Sequence, residues 1–406
     1  MLIQRDISNH VMSMAGEYPV LTIMGPRQSG KTTLAKMLFP AYKYVNLEEP
    51  DHREFAQRFP RDFLNSYGVN SYSGDLIIDE IQRVPDLISY IQVIADNNKK
   101  NGQFILTGSH QPQIKADITQ SLAGRTAIIT LLPLSIKELH LAGVVLERDE
   151  YIYRGFMPRI YSENASPKHL YQNYYATYVE RDVRQLINVG SQISFERFIK
   201  LLAGRIGQIV NLNSLAADVG VSQTTLTSWL SVLEASFIVF RLHCYFNNFG
   251  KRIVKAPKLY FTDVGLAANL LGIVSVDQVF RDPLSGGLFE NMVIADAVKT
   301  KHNQGKTSGF GSGLYYFRNQ NGLEVDLIYD KGRDIIPIEI KSGVSFDLSF
   351  SKNLKLFQKL SYDIKDGYVV YGGDRHVKIE GTEFVSFREA SSIFWSGKTK
   401  PHKNTQ

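Results

Sequence analysis

Val20-Leu-Thr-Ile-Met24-Gly25-Pro26-Arg27-Gln28-Ser29-Gly30-Lys31-Thr32-Thr33 is the stretch that decides the fold. An apolar run, predicted as a buried strand, ends in a glycine-bearing turn that fits G-x-x-x-x-G-K-[ST]. The turn leads into the helical stretch Thr33–Phe39, which stops at Pro40. Each residue type has a physical reason to be there. Glycines let backbone N–H groups wrap phosphate oxygens, and the N-terminus of the following helix adds about half a positive charge. Lys31 neutralises the β- and γ-phosphates, and the Thr32 hydroxyl reaches Mg2+. Residues 25–33 are therefore expected to hold a nucleoside triphosphate. Two other Gly-Lys-Thr triplets, at 305–307 and 397–399, serve as internal controls: Thr300 and Ser392 stand where the leading glycine belongs, and neither triplet follows a buried strand.

Working outward, short apolar runs alternate with helical stretches as far as about Leu134: Tyr44–Leu47, Leu76–Asp79, Phe104–Thr107 and Ala127–Leu131. Such alternation predicts a parallel sheet flanked by helices, with strands covered on both faces. Leu76-Ile-Ile-Asp79-Glu80 supplies the second half of the phosphate site. Asp79 is placed to hold the Mg2+ shell, and Glu80 to orient and deprotonate the attacking water. Phe104-Ile-Leu-Thr107-Gly-Ser109 ends in hydroxyls where a γ-phosphate contact would lie. No Asn-Lys-x-Asp stretch for reading guanine is present; the nearest run, Asn98-Lys-Lys-Asn101, ends in Asn, so ATP is expected over GTP. Arg125, closing Ser121-Leu-Ala-Gly-Arg125, is a candidate arginine finger acting across a subunit boundary, which would require a homo-oligomer; an ordinary charge at a helix end is the alternative.

The whole chain, 406 residues, exceeds what one hydrophobic core supports, and two or three domains are expected. Its balance of 46 Lys+Arg against 40 Asp+Glu leans toward anionic partners. Cys244, the single cysteine, excludes an intramolecular disulfide and reads as a small packed hydrophobe. Met1-Leu-Ile-Gln-Arg-Asp6 has no apolar leader core, and no run reaches the roughly 18 to 20 apolar residues of a membrane span, so a soluble, cytoplasmic protein with no membrane partner is expected.

The segments 25–33, Ile77–Gln82, Leu106–Ser109 and Leu122–Arg125 together resemble a prokaryotic AAA-type ATPase family that pairs the ATPase with a C-terminal domain of unknown function. Tyr178–Val183, Lys251–Tyr260, Asp263–Leu266 and Pro337–Gly343 extend the resemblance over nearly the whole chain. It implies an AAA-type P-loop core and ATP as the nucleotide.

Beyond Leu134 the chain turns helical and aromatic. Tyr171, Tyr174, Tyr175, Tyr178, Asp182 and Gln185 share or neighbour one helix face, a stripe read as packing with base stacking as the alternative. Leu215-Ala-Ala-Asp-Val-Gly220-Val-Ser222 followed by Gln223–Leu233 predicts a helix-turn-helix capped by Ser222. Arg241, Lys251, Arg252, Lys255 and Lys258 follow without an acidic residue between 241 and 258, a candidate basic wing for a DNA backbone. The second helix offers Gln223, Thr224, Thr225 and Thr227 but no Arg or Lys, which is thin for base reading; a linker that packs on its neighbours is the alternative.

The last part combines Glu290, Asp326 in Leu323–Ile328, and Pro337-Ile-Glu339-Ile-Lys341. In a strand, Glu339 and Lys341 project on one face. Asp326 and Glu339 can then hold one divalent ion that activates water, with Lys341 stabilising developing charge. The arrangement resembles the restriction-endonuclease-like core, whose acidic and lysine positions Glu290, Asp326, Glu339 and Lys341 match; a salt-bridged strand pair without activity is the alternative. The expected architecture is α/β throughout. An ATPase core spans 1–150, a helical segment with a winged helix-turn-helix 151–258, an endonuclease-like domain 259–395, and a disordered tail 396–406. Two readings of function follow: an ATP-driven enzyme acting on nucleic acid, or a regulatory ATPase whose C-terminal domain only binds a partner.

Overall fold

In a computed structural model of the chain, the described residues are 2–69, 74–109, 118, 121–183, 192–245, 256–306, 313–332, 334–360 and 364–395, without the side chains of 180–183. The first sheet is built from β1 (Val20–Gly25), β2 (Lys43–Asn46), β3 (Leu76–Asp79), β4 (Phe104–Ser109) and β5 (Thr126–Thr130) in the order β2-β3-β4-β1-β5, all parallel. Because side chains alternate along a strand, Val20 and Met24 enter one core layer while Leu21 and Ile23 enter the layer on the opposite face. β1, β3 and β4 are buried at every position, whereas the edge strands β2 and β5 are only partly covered. Parallel strands place all their C-terminal ends along one edge. The phosphate loop, Asp79 and Ser109 therefore meet there although they are far apart in sequence.

Next come short helices, including Ile136–Leu141 and Pro158–Ser162, and then Pro167–Tyr174, which continues as a π-helix over Tyr175–Val183. The tyrosine stripe is packing. Tyr171, Tyr174 and Tyr178 are buried, and the Tyr171 hydroxyl donates to Asp263 at 2.7 Å. The side chain of Asp182 and all of Gln185 lie outside the described residues. Helices Gln192–Ala203, Leu212–Val219 and Gln223–Ala235 precede β6 (Val239–Leu242) and β7 (Lys258–Phe261), which pair antiparallel. Gly220 ends the second of these helices in the left-handed region, φ 80°, and Ser222 caps the third by accepting from the Thr225 N–H at 3.0 Å. Ile209 forms a single bridge with Lys258.

The C-terminal sheet comprises β8 (Leu314–Arg318), β9 (Glu324–Asp330), β10 (Ile335–Lys341), β11 (Tyr368–Tyr371), β12 (Val377–Ile379) and β13 (Thr382–Ser386), in the order β12-β13-β11-β10-β9-β8. β10, β11 and β13 run parallel, and the remaining pairs are antiparallel. The β12–β13 hairpin was not anticipated. Its signal is Glu380-Gly381, both at positive φ, in a two-residue turn.

The long helix Ser285–Asn303 carries Gly286-Gly287 in its first turn. Nearly all of it is buried, because it serves two neighbours. Asp296 accepts from the Ile136 N–H at 2.7 Å, in the helix that follows the first sheet, while Lys301 donates to the Tyr329 hydroxyl at 3.0 Å on the C-terminal sheet. One continuous apolar core accordingly runs from Ile3 and Leu132 through the middle helices to Phe394. The boundary expected after residue 258 falls at the first residue of β7. The tail 396–406 lies outside the described residues, and among these no helix is long and apolar enough to cross a membrane.

Candidate phosphate site and a second carboxylate site

The phosphate loop is shaped by close approach. A Cβ at Gly25 would stand 2.1 Å from the Leu131 carbonyl oxygen, so only glycine fits where β1 meets the chain leaving β5. Gly30 closes the loop at φ +91°, and Gln28 also takes positive φ. The Ser29 hydroxyl donates to the Pro26 carbonyl at 3.0 Å. The Lys31 ammonium is folded over the loop, donating to the carbonyls of Pro26 at 2.9 Å and Gly25 at 3.2 Å. Burial pushes the Lys31 pKa down, opposed by Glu80 and Asp79.

Asp79 collects three hydroxyls. Thr32 donates at 2.8 Å and Tyr44 at 2.9 Å to one carboxylate oxygen, and Thr107 donates to the other. A hydroxyl and a carboxylate in direct reach are the protein donors that Mg2+ accepts while keeping most of its waters, so Thr32 and Asp79 fit that ion. Glu80 follows at φ 58°, and Gln82 Nε2 bridges it to the Ser109 hydroxyl, the latter at 2.9 Å. Burial raises the Glu80 pKa, which suits a carboxylate that must accept a proton from water. Arg27, Gln28, Lys31, Thr32, Thr33 and Glu80 line a cleft of about 450 Å³ whose far wall is Pro158 and Arg159.

Two placements could not be read from the sequence. Arg5 is buried behind the loop, donating to the Ser29 carbonyl at 2.9 Å, the Leu132 carbonyl at 2.7 Å and the Glu138 carboxylate at 3.0 Å; no motif marks it. Arg125 lies at the opposite end of the sheet, where its carbonyl accepts from Val20 N–H at 3.1 Å and its guanidinium pairs with Asp96. The six residues of β1, at about 3.3 Å each, separate it from the loop, so it takes no part in this chain's own phosphate site.

A second site forms where the long helix meets β7, β9 and β10. Lys341 lies 2.7 Å from Glu339 and 3.8 Å from Asp326, and Asp326 also accepts from the Ile340 N–H at 2.8 Å. Glu290 accepts from the Tyr260 hydroxyl at 2.5 Å and from Lys258 at 3.1 Å. Burial, then the Asp326 charge, pushes both Glu339 and Glu290 well above the usual carboxylate range. Among the described residues no group of three or more His, Cys, Asp or Glu side chains is arranged to hold a metal ion. Glu339 nevertheless keeps one oxygen buried without a hydrogen-bond partner, and that orphan with the Asp326 carboxylate fits a divalent cation in donor chemistry.

The basic wing needs correction. Lys258 is buried, pairing Glu290 and Glu324, and Arg241 is paired with Glu234, so neither is free to meet a phosphate backbone. Burial of a lysine between two carboxylates outweighs its place in a basic stretch. Lys251, Arg252 and Lys255 lie outside the described residues.

Residues 17–140 match the family described as AAA domain. With the loop, Asp79 and the parallel sheet in place, this part of the chain has the parallel-sheet α/β fold of a P-loop ATPase and is similar to AAA-type domains. Residues 146–277 and 285–390 match two families described as domains of unknown function, DUF8612 and DUF4143. An uncharacterized protein of Mycobacterium tuberculosis is 28% identical over 94% of this chain and 83% of its own length, and one of Haemophilus influenzae is 23% identical over 86% and 87%. Among solved structures, the Walker-type ATPase of Pyrococcus abyssi covers 65% of this chain and 94% of its own at 13% identity and TM-score 0.41. The AMPPCP-bound DnaA of Aquifex aeolicus covers 56% and 85% at 15% identity and TM-score 0.28. Likeness at these scores carries no argument about this chain's role.

Proposed function

We propose that the chain binds ATP with Mg2+ and hydrolyses it, and that nucleotide state governs a C-terminal unit acting on nucleic acid. The observation that carries the first half is the Thr32 hydroxyl 2.8 Å from Asp79, beside the buried Lys31 and the half-buried Glu80. The loop amides of 25–33 bind the phosphates, and Lys31 leaves its own loop carbonyls to pair with phosphate oxygens. Bound by Thr32 and Asp79, Mg2+ supplies Lewis-acid contact to the phosphates. Glu80 takes the proton from the attacking water, and Gln82 and Ser109 hold its carboxylate at the end of β4. Arg125 enters only as a finger from a second copy.

The order helix, single bridge at Ile209, two helices and a β6–β7 pair supports the winged-helix reading of the middle part. The meeting of Glu290, Asp326, Glu339 and Lys341 supports a metal-dependent phosphodiesterase reading of the second site. There Asp326 and Glu339 would hold the ion, and Lys341 would stabilise the leaving charge. A regulatory ATPase with a non-catalytic partner-binding domain is the second reading. It is favoured by the uncharged exposed face of helix Gln223–Ala235 and by the salt-bridged state of the second site.

ATP hydrolysis with and without duplex DNA, comparing wild type with Lys31→Ala and Glu339→Ala, tests both. Turnover abolished by Lys31→Ala, raised by DNA, and strand cleavage lost with Glu339→Ala alone are the expected results. Turnover indifferent to DNA, with no strand cut in Mg2+ or Mn2+, moves the conclusion to the second reading.

A further inference from the structure

Phosphoryl transfer needs a cation to meet the charge that develops on the transferred group, and Arg125 stands at the wrong end of the sheet to supply it within one chain. Four described cations line the phosphate cleft: Arg5, Arg27, Lys31 and Arg159. Arg5 is buried and committed to the Ser29 and Leu132 carbonyls and to Glu138. Arg159 pairs with Glu163 at 2.9 Å on the far wall. The Arg27 side chain, 26% exposed, has its guanidinium 3.7 Å from Glu48 and 5.5 Å from the centre of the Tyr178 ring. Glu48 follows β2, whose last residue Asn46 is in register with Asp79, and the Leu47 N–H donates to the Asp79 carbonyl at 3.1 Å. Contact with Glu48 therefore sets the Arg27 guanidinium at the end of the cleft where Asp79 and Glu80 stand. Its present holds are weak: a partly exposed ion pair at 3.7 Å and a ring contact at 5.5 Å. Glu48 also pairs with Arg83 at 3.2 Å, so it keeps a partner when Arg27 turns away. A triphosphate in the loop offers the guanidinium paired, charge-assisted hydrogen bonds that the ring cannot.

We propose that Arg27 is an arginine finger built into the phosphate loop of the same chain: with ATP bound it leaves Glu48 and Tyr178 and pairs with the oxygens of the γ-phosphoryl group. This rests on the reading that residues 25–33 bind ATP and that Glu80 is the base. The oxygen of water forms the new bond to the γ-phosphorus, the bond from that phosphorus to the β,γ-bridging oxygen breaks, and ADP leaves with the electron pair. Glu80 takes the water's proton. Arg27 exchanges no proton and acts by charge on the oxygens of the group in flight. Each chain then carries its own finger, and turnover does not wait for an arginine from a second copy.

The test uses the full chain with Mg2+ and three readouts: steady-state ATP turnover, affinity for a fluorescent ADP, and the tightening of that ADP by aluminium fluoride, which mimics the group in transfer. Arg27→Ala is expected to lower kcat by about 10²–10³, to keep ADP affinity within about threefold of wild type, and to lose the aluminium fluoride tightening that wild type shows. Arg27→Lys keeps the charge without the fork and is expected to remain about tenfold or more below wild type. Mixing Arg27→Ala with an excess of Lys31→Ala, which carries an intact Arg27 beside a crippled loop, is expected to restore nothing. Retained ADP affinity reports that Arg27→Ala is folded; if it is not, Arg27→Lys takes its place. Turnover within about threefold of wild type, undiminished tightening by aluminium fluoride, a loss of ADP affinity as large as the loss of kcat, or restoration in the mixture overturns the finger. If Lys31→Ala and Glu80→Gln lose turnover while Arg27→Ala keeps it, the finger alone falls. If wild type does not turn over, or if those two variants match it, the ATPase reading falls as well.

Discussion

The Arg5 guanidinium and the Glu138 carboxylate meet at 3.0 Å, with Arg5 6% exposed and Glu138 1%. The same guanidinium holds the Ser29 carbonyl of the phosphate loop, and the same carboxylate caps helix Ile136–Leu141 and accepts weakly from Asn303 at 3.4 Å. Arg5→Met leaves Glu138 buried and unpaired, so unfolding free energy in urea should fall by about 3–5 kcal/mol. Arg5→Met with Glu138→Met should lose clearly less. Equal losses in the single and double variants would show that the pair is not the unit of stability.

Lys31 and Glu80 should separate binding from chemistry. Lys31→Ala is expected to lose nucleotide binding in a fluorescent-nucleotide titration. Glu80→Gln should retain binding while turnover falls by about 10²–10⁴, the range for loss of a positioned base. Turnover in Glu80→Gln close to wild type would move the base elsewhere.

Gly25→Ala sets a Cβ against the Leu131 carbonyl, which belongs to the backbone and cannot turn aside. The expected cost is about 1–3 kcal/mol in unfolding, together with loss of nucleotide binding. Gly124→Ala is the control, since nothing lies within 4 Å of a Cβ there; it is expected to show only the mild cost of a positive φ, read from the same urea titrations.

Two of the titrating groups on the long helix, Asp296 and His302, oppose each other. Burial pushes Asp296 up to about 6 from its ordinary 3.8, so between those values the folded state holds a proton that the unfolded state has released, and stability falls as pH rises. Burial lowers His302 to about 4 from 6.5. In that window the unfolded state holds the extra proton, and stability rises with pH. Urea unfolding from pH 4 to 6.5 should therefore give a pH slope more positive than that of wild type in Asp296→Asn and more negative than that of wild type in His302→Gln. Parallel pH profiles for the two variants would contradict the opposition.

The first site was legible because its chemistry is local. Glycines, a lysine and a hydroxyl at fixed spacing after a buried strand mark a tight loop at a strand end, and a carboxylate ending a second apolar strand reaches the same edge of a parallel sheet. Glu290, Asp326, Glu339 and Lys341 were legible as residue types on strands and a helix, and the fold does bring them together. The sequence alone thus determined the parallel sheet, the glycine-shaped loop and the place of Asp79 and Glu80 at its edge, because strand periodicity and glycine geometry are properties of neighbouring residues. Only the tertiary structure decided the roles of Arg5, Arg125 and Lys258. A charged side chain takes its role from whichever partner shares its burial, and for these three the partners lie 133, 29 and 32 residues away.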